Sequence, residues 1–171
     1  MSNQFFILRM QVTLPLADLV RAFNITFISP NTYGNTLMDR MSNPAAVRYI
    51  VNDVDAAIQF YTRMLNFKVE MHPAPEFAIL SRENLRLMLS KPSGKGGGGQ
   101  PMTDGTTQTP GGWNRFEIEV EDLPSTVEKL KKAGCTFRNE IVTGVGGMQI
   151  LLKDPSGNLV ELFQFFKDSK R

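Results

Sequence analysis

The chain has 171 residues, 42% hydrophobic and 21% charged, with a net charge of +2. That fits one ordinary globular domain or two small modules sharing a core, and so small a positive surplus argues against a nucleic-acid partner. One cysteine and one histidine exclude a disulfide framework and any multi-histidine site within one protomer, and no apolar run approaches the ~20 residues of a membrane span. The expected setting is cytoplasmic, with no membrane and no nucleic acid as partner.

Residues 1–44 form an irregular extension, punctuated by Pro15, Pro30 and Pro44. The apolar Phe5-Phe6-Ile7-Leu8 is broken by Arg9 and does not read as a secretory signal. Asp18 to Phe23 could begin a short helix that nothing extends. The pattern is that of a poorly ordered tail or an over-extended start, with Met41 as a second start. The alternative is an arm packed on a partner subunit.

From residue 45 the pattern becomes regular, and the domain is expected over 45–167, with 168–171 as a tail. Ala46 to Asn52 predicts a strand, and Asp53 then caps a helix with Val54, Ile58, Tyr61 and Leu65 on one face, stopped at Asn66. Three strands follow, Phe67 to Met71, Phe77 to Ser81 and Leu85 to Leu89. These complete a first module over 45–91. Residues 92–112 are rich in Gly, Pro, Thr, Ser and Gln and read as a long linker that could close as a lid.

The order then repeats over 113–167. Trp113 to Val120 predicts a strand. Asp122 caps a helix with Leu123, Val127, Leu130 and Ala133 inward, and Gly134 stops it. Cys135 to Val142, Met148 to Leu152 and Leu159 to Phe165 predict three strands. The last two are joined by Asp154-Pro155-Ser156-Gly157-Asn158, a tight turn in which each residue favours the bend for its own backbone reason. The fold expected is α+β. Two βαβββ modules form an incomplete, eight-stranded, barrel-like sheet around a cleft, with the helices outside. Asn84-Leu85-Arg86-Leu87 is set against Asn158-Leu159-Val160-Glu161 as its counterpart. Glu161 stands out, because a carboxylate among Leu159, Phe163 and Phe165 is costly unless paired or coordinated.

This repeat, with its helix openings after Asp53 and Asp122 and the closing D-P-S-G-N-L-V-E-L-F over 154–163, resembles the vicinal oxygen chelate superfamily. Glyoxalases, extradiol dioxygenases and bleomycin-resistance proteins are members. The resemblance implies a divalent metal held by a His or Glu on the first strand and a Glu or His on the last strand of each module. Carried over, those positions read Ala46, Leu87, Arg115 and Glu161, of which Glu161 alone is a metal ligand. A lone carboxylate falls short of the three protein ligands of a catalytic metal, and arginine does not ligate. The expectation is therefore that Arg115 pairs with Glu161 and closes the old metal position, and that the cleft gathers Arg48, Trp113, Arg115, Glu117 and Glu161 as ligand-binding residues.

By this resemblance the protein is expected to be a small-molecule binder without the family's metal or any other cofactor, working as a homodimer. The alternative is a lyase or dioxygenase of the same superfamily, using Glu161 as a general base or in an atypical divalent-metal site. Tyr49, Phe77 and Trp113 are expected in the core or as cavity walls. His72 reads as a rim histidine at a strand end, and Cys135 as a buried inert thiol. Lys95 with Gly96 to Gly99 lacks the ending of a phosphate loop, and Lys129, Lys131 and Lys132 read as a solvated helix face.

Overall fold

The computed structural model describes residues 44–92, 94 and 98–167. The expectations for residues 1–43, for Lys95 to Gly97 and for the 168–171 tail lie outside the described residues. Eleven elements follow in the order β1 (Ala45–Ile50), α1 (Val54–Leu65), β2 (Lys68–Ala74), β3 (Phe77–Arg82), β4 (Leu85–Ser90), β5 (Arg115–Glu119), α2 (Leu123–Lys132), β6 (Thr136–Phe137), β7 (Val142–Thr143), β8 (Gly147–Lys153) and β9 (Leu159–Phe165). The α+β class and the two βαβββ modules agree with the sequence reading. The strands form two sheets of four and five rather than a closed barrel. One runs β1-β4-β3-β2 and the other β5-β9-β8-β6, with β7 also on β8. In each sheet the first and last strands of the module pair in parallel, β1 with β4 and β5 with β9.

Both helices begin as the sequence dictates. The Asp53 side chain accepts from the Ala56 amide, and Asp122 accepts from that of Ser125, each at 2.9 Å. These bonds satisfy amides that have no partner within the helix. Asn66 ends α1 in the left-handed conformation. Helix α1 buries Val54, Ala57, Tyr61 and Leu65, and α2 buries Leu123, Val127 and Leu130. Beneath them lie Tyr49, Ala78, Leu80, Leu87 and Leu89 from the first sheet, and Phe116, Ile118, Ile150, Leu152, Val160 and Leu162 from the second, in one cluster. Side chains alternate across a strand, so Ala46, Arg48, Met88, Arg115, Glu117 and Glu161 fall on the opposite, helix-free face.

Strand β1 ends at Ile50 rather than Asn52, and three further boundaries depart from the sequence pattern. The run from Cys135 to Val142 is not one strand but two short ones, because the Asn139 side-chain oxygen takes the Leu151 amide at 3.0 Å and replaces a ladder bond there. Strand β5 starts at Arg115 rather than Trp113. Gly111 and Gly112 before it both have φ near +90°, which suits glycine and delays extended pairing. Trp113 is consequently 63% exposed and belongs to neither core nor strand, and Arg138 stacks over its ring at 3.9 Å. Strand β2 runs through His72 and Pro73 to Ala74 instead of ending before them. It is the edge of its sheet, where a proline removes no ladder bond, and its pairing with β3 shifts register at Met71. Among the described residues no helix is long and apolar enough to cross a membrane.

Candidate functional site

The two sheets bring the edges of β1 and β5 together. Tyr49 stacks on Phe116 with ring centroids 5.5 Å apart, and its hydroxyl donates to the Leu159 carbonyl at 2.6 Å. Burial pushes the Tyr49 phenol up to about 12, so it stays a neutral donor. The Asp154–Asn158 turn does more than reverse the chain. Asp154 is buried and accepts from the amides of Ser156 and Asn158, from Asn158 Nδ2 and from the Tyr61 hydroxyl. Asn158 Nδ2 also donates to the Ile50 carbonyl at 2.9 Å, and its oxygen accepts from the Gly111 amide at 2.8 Å. Ser156 Oγ accepts from the Asn52 amide. One five-residue turn thus fastens the end of β1, helix α1 and the end of the linker to the second module. The turn was legible in the sequence. Its role as a clamp was not, since it depends on partners about 100 residues away.

On the helix-free face Arg115 donates from Nε to Glu161 Oε2. The Arg115 side chain is 35% exposed and that of Glu161 10%. The expected Arg115–Glu161 pair is therefore present, and it answers the question posed by a carboxylate in an apolar strand. Glu117 lies directly across from Glu161 in the β5–β9 register. Its carboxyl is raised above its ordinary value, first by burial and then by the negative charges of Glu161 and Glu119.

The register corrects one position. Ala46 pairs with Arg86, and Arg115 pairs with Leu159. Because Ala46 and Arg115 are each seven residues before their helix cap, the first-module counterpart of Glu161 is Met88 rather than Leu87. Leu87 is fully buried beneath α1, on the wrong face. The hairpins differ in length: Arg82 pairs with Leu85 across two residues, whereas Lys153 pairs with Leu159 across five, so aligning the turns slips the strands by one. The four positions that would surround a metal thus read Ala46, Met88, Arg115 and Glu161. The donor set does not fit a divalent ion, since its single carboxylate already accepts from a guanidinium. Among the described residues no group of three or more His, Cys, Asp or Glu side chains could hold a metal.

Arg48 also faces this side. Its guanidinium donates to Ser90 Oγ, lies 3.4 Å from the Met88 sulfur and stands 5.8 Å from the centroid of Phe77. A cavity of about 390 Å³ opens between β1 and β5, lined by Arg48, Tyr49, Thr109, Asn114, Arg115 and neighbouring backbone. A second, of about 330 Å³, lies toward the other end of β5, lined by Arg82, Leu85, Glu117 and Glu119 among others. The linker is held down over its described part. Gln108 donates to the carbonyls of Gly98 and Gln100, both at 3.1 Å. Elsewhere, His72 lies 3.7 Å from Asp55, and Cys135 is half-buried with its thiol raised by burial, as an inert thiol would be. Trp113, placed in the cleft by sequence, stands exposed at its rim.

Comparison with known proteins follows this architecture. The sequence matches the family described as the Glyoxalase/Bleomycin resistance protein/Dioxygenase superfamily over residues 43–162. No curated protein sequence matches the chain significantly. Among solved structures it is similar to a lactoylglutathione lyase from Agrobacterium tumefaciens, with TM-score 0.54 and 16% identity over 70% of this chain and 90% of that one. It is also similar to TnmS3, an antibiotic binding protein from Streptomyces sp. CB03234, with TM-score 0.55 and 18% identity over 72% and 95%. A superfamily member from Sphaerobacter thermophilus gives 0.57 and 23% over 71% and 95%. At these identities the structural likeness speaks for the fold, and the family match carries the assignment: this chain belongs to the glyoxalase/bleomycin resistance protein/dioxygenase superfamily.

Proposed function

We propose that this protein binds a small organic molecule on its helix-free face and does so without the superfamily's metal. The observation that carries the reading is the Arg115–Glu161 ion pair, which joins β5 to β9 at the position where a metal would need donors. A fixed guanidinium there supplies positive charge without an open coordination site. Cavities of about 330 and 390 Å³ lie beside it, lined by charged and polar side chains together with apolar ones. The antibiotic-binding relative lends support to the same reading.

Two measurements on the full chain test this. The protein is equilibrated with Ni²⁺, Zn²⁺, Fe²⁺ and Mn²⁺, desalted, and assayed for bound metal, with well under one equivalent expected for each. Thermal unfolding is then followed against a panel of planar anionic, neutral and cationic compounds. A ligand at 100 times its Kd stabilises the native state by ~2.7 kcal/mol. Tight stoichiometric metal lost in Glu161→Gln would overturn the metal-free reading. Silence across the whole panel would overturn the binding reading.

A further inference from the structure

Charge is distributed unevenly between the two cavities. The carboxylates Glu117 and Glu119 line the one toward the end of β5, whereas the one between β1 and β5 is lined by two guanidiniums, Arg48 and Arg115, and by no carboxylate. Arg115 gives its Nε to Glu161, and among the described residues its Nη1 reaches the Trp113 carbonyl, at 3.4 Å. Arg48 has no carboxylate partner among the described residues. Its neighbours there are a hydroxyl, a thioether and a phenyl ring, which take up hydrogen bonds and dispersion but no charge. The arginine of the neighbouring strand β4, Arg86, lies 3.4 Å from the Glu70 carboxylate. Of the two guanidiniums that line this cavity, Arg115 is thus paired with Glu161, and Arg48 is the one without a carboxylate partner among the described residues.

Arg48 is also held in position. Gly98 packs so closely on its guanidinium that a Cβ added to that glycine would lie 2.1 Å from it. The Gly98 carbonyl is in turn held by Gln108. Thr109 and Asn114 bring a hydroxyl and an amide to the same cavity. A guanidinium held in place, lining the same cavity as a second one and with no carboxylate in salt-bridge reach among the described residues, is a ready-made partner for planar oxyanions.

We propose that the cavity between β1 and β5 binds the carboxylate of an organic monoanion, with Arg48 as its principal partner and Arg115 as the second. This rests on the reading of the helix-free face as a ligand site, and it adds the charge class of the ligand. A monoanion matches the one guanidinium that has no carboxylate partner among the described residues. A phosphate dianion would leave net negative charge beside Glu161 and is disfavoured. The cavity is larger than a carboxylate alone needs, so the anion carries an organic body.

The test titrates the full chain at pH 8, where inorganic phosphate is mainly the dianion, and at low salt with sodium benzoate, inorganic phosphate and tetramethylammonium chloride, by calorimetry or by amide chemical shifts. Saturable benzoate binding is expected, with phosphate weaker and no binding of tetramethylammonium. Arg48→Met should weaken benzoate at least tenfold, and Arg48→Lys should recover part of that loss. Gly98→Ala removes no polar group, but its Cβ would push the Arg48 guanidinium out of the place where it is held, so it should weaken benzoate severalfold. Glu161→Gln should tighten benzoate. Equal benzoate affinity in Arg48→Met, or preference for tetramethylammonium, overturns the proposal. If neutral or cationic compounds of the thermal panel bind and benzoate does not, the anion site fails while the binding function stands. If nothing binds, both fail.

Discussion

Replacing Arg115 with Met leaves Glu161 within its strand but without its cation. The Glu161 side chain is only 10% exposed, has Leu151 across from it on β8 and faces Glu117 on β5. Stripping one partner from a fully buried pair costs about 3–5 kcal/mol, because the remaining charge is left desolvated. Here the Arg115 side chain is 35% exposed, so water already screens part of the interaction, and about 2–3 kcal/mol is the fitting figure. The reverse change differs. Glu161→Gln leaves a half-exposed guanidinium that water can solvate, keeps a hydrogen-bond acceptor and relieves the repulsion on Glu117. Its cost should be about 1 kcal/mol or less. In the double variant the penalty of the stranded carboxylate disappears, so Arg115→Met should cost far less in the Glu161→Gln background than alone. Urea unfolding of the four proteins at pH 7, with m-values compared, measures each of these terms. Equal costs for the two single variants would refute the claim that Arg115 exists to neutralise Glu161, as would strict additivity in the double variant.

Two further variants probe the clamp and the acidic strand. Asp154→Ala removes the acceptor for the Ser156 and Asn158 amides, Asn158 Nδ2 and the Tyr61 hydroxyl. It should cost about 3–5 kcal/mol by urea unfolding, since several buried donors lose their partner together; a loss under ~1 kcal/mol would mean that water replaces the carboxylate there. Glu117→Gln should alter the dependence of stability on pH. The Glu117 carboxyl is raised in the fold, so the native state holds its proton more tightly than the unfolded chain does. The stability from that proton is complete below the ordinary value of 4.5 and is lost as pH rises through the raised native value. The variant should therefore unfold at a higher temperature than the parent at pH 7, and the gain should vanish below pH 4.5; a gain that persists at low pH would refute the electrostatic cause.

The fold was readable because its signals are local. Asp53 and Asp122 sit where helix caps must be, apolar residues recur at helical spacing after each, and the second module repeats the first. The Arg115–Glu161 pair was readable for a similar reason. A costly residue in an apolar strand demands a partner, and two parallel strands of the same sheet could supply it. What escaped were features fixed by distant contacts. Nothing around Leu87 signals that a two-residue turn moves Met88, one position on, into the place that corresponds to Glu161. Trp113 carries the alternation of a strand, yet the two glycines before it hold it out at the rim. Asn139 looks like an ordinary strand interruption until its bond to the Leu151 amide is seen.

These long-range contacts also separate the two halves of the site. The Arg115–Glu161 pair belongs to one sheet and survives as long as β5 and β9 stay paired. The cavity of Arg48 and Arg115 does not, because its two cations come from different sheets that share no ladder among the described residues. Their separation is set by the Tyr49–Phe116 stack and by Asn158, whose side chain bonds the last residue of β1 on one side and the linker on the other. The buried polar turn at 154–158 thus has a function beyond stability. An apolar contact tolerates sliding, whereas hydrogen bonds from Asp154 and Asn158 to named backbone atoms fix one register between the modules. A planar anion that must meet two guanidiniums needs that register held more closely than hydrophobic packing alone would hold it.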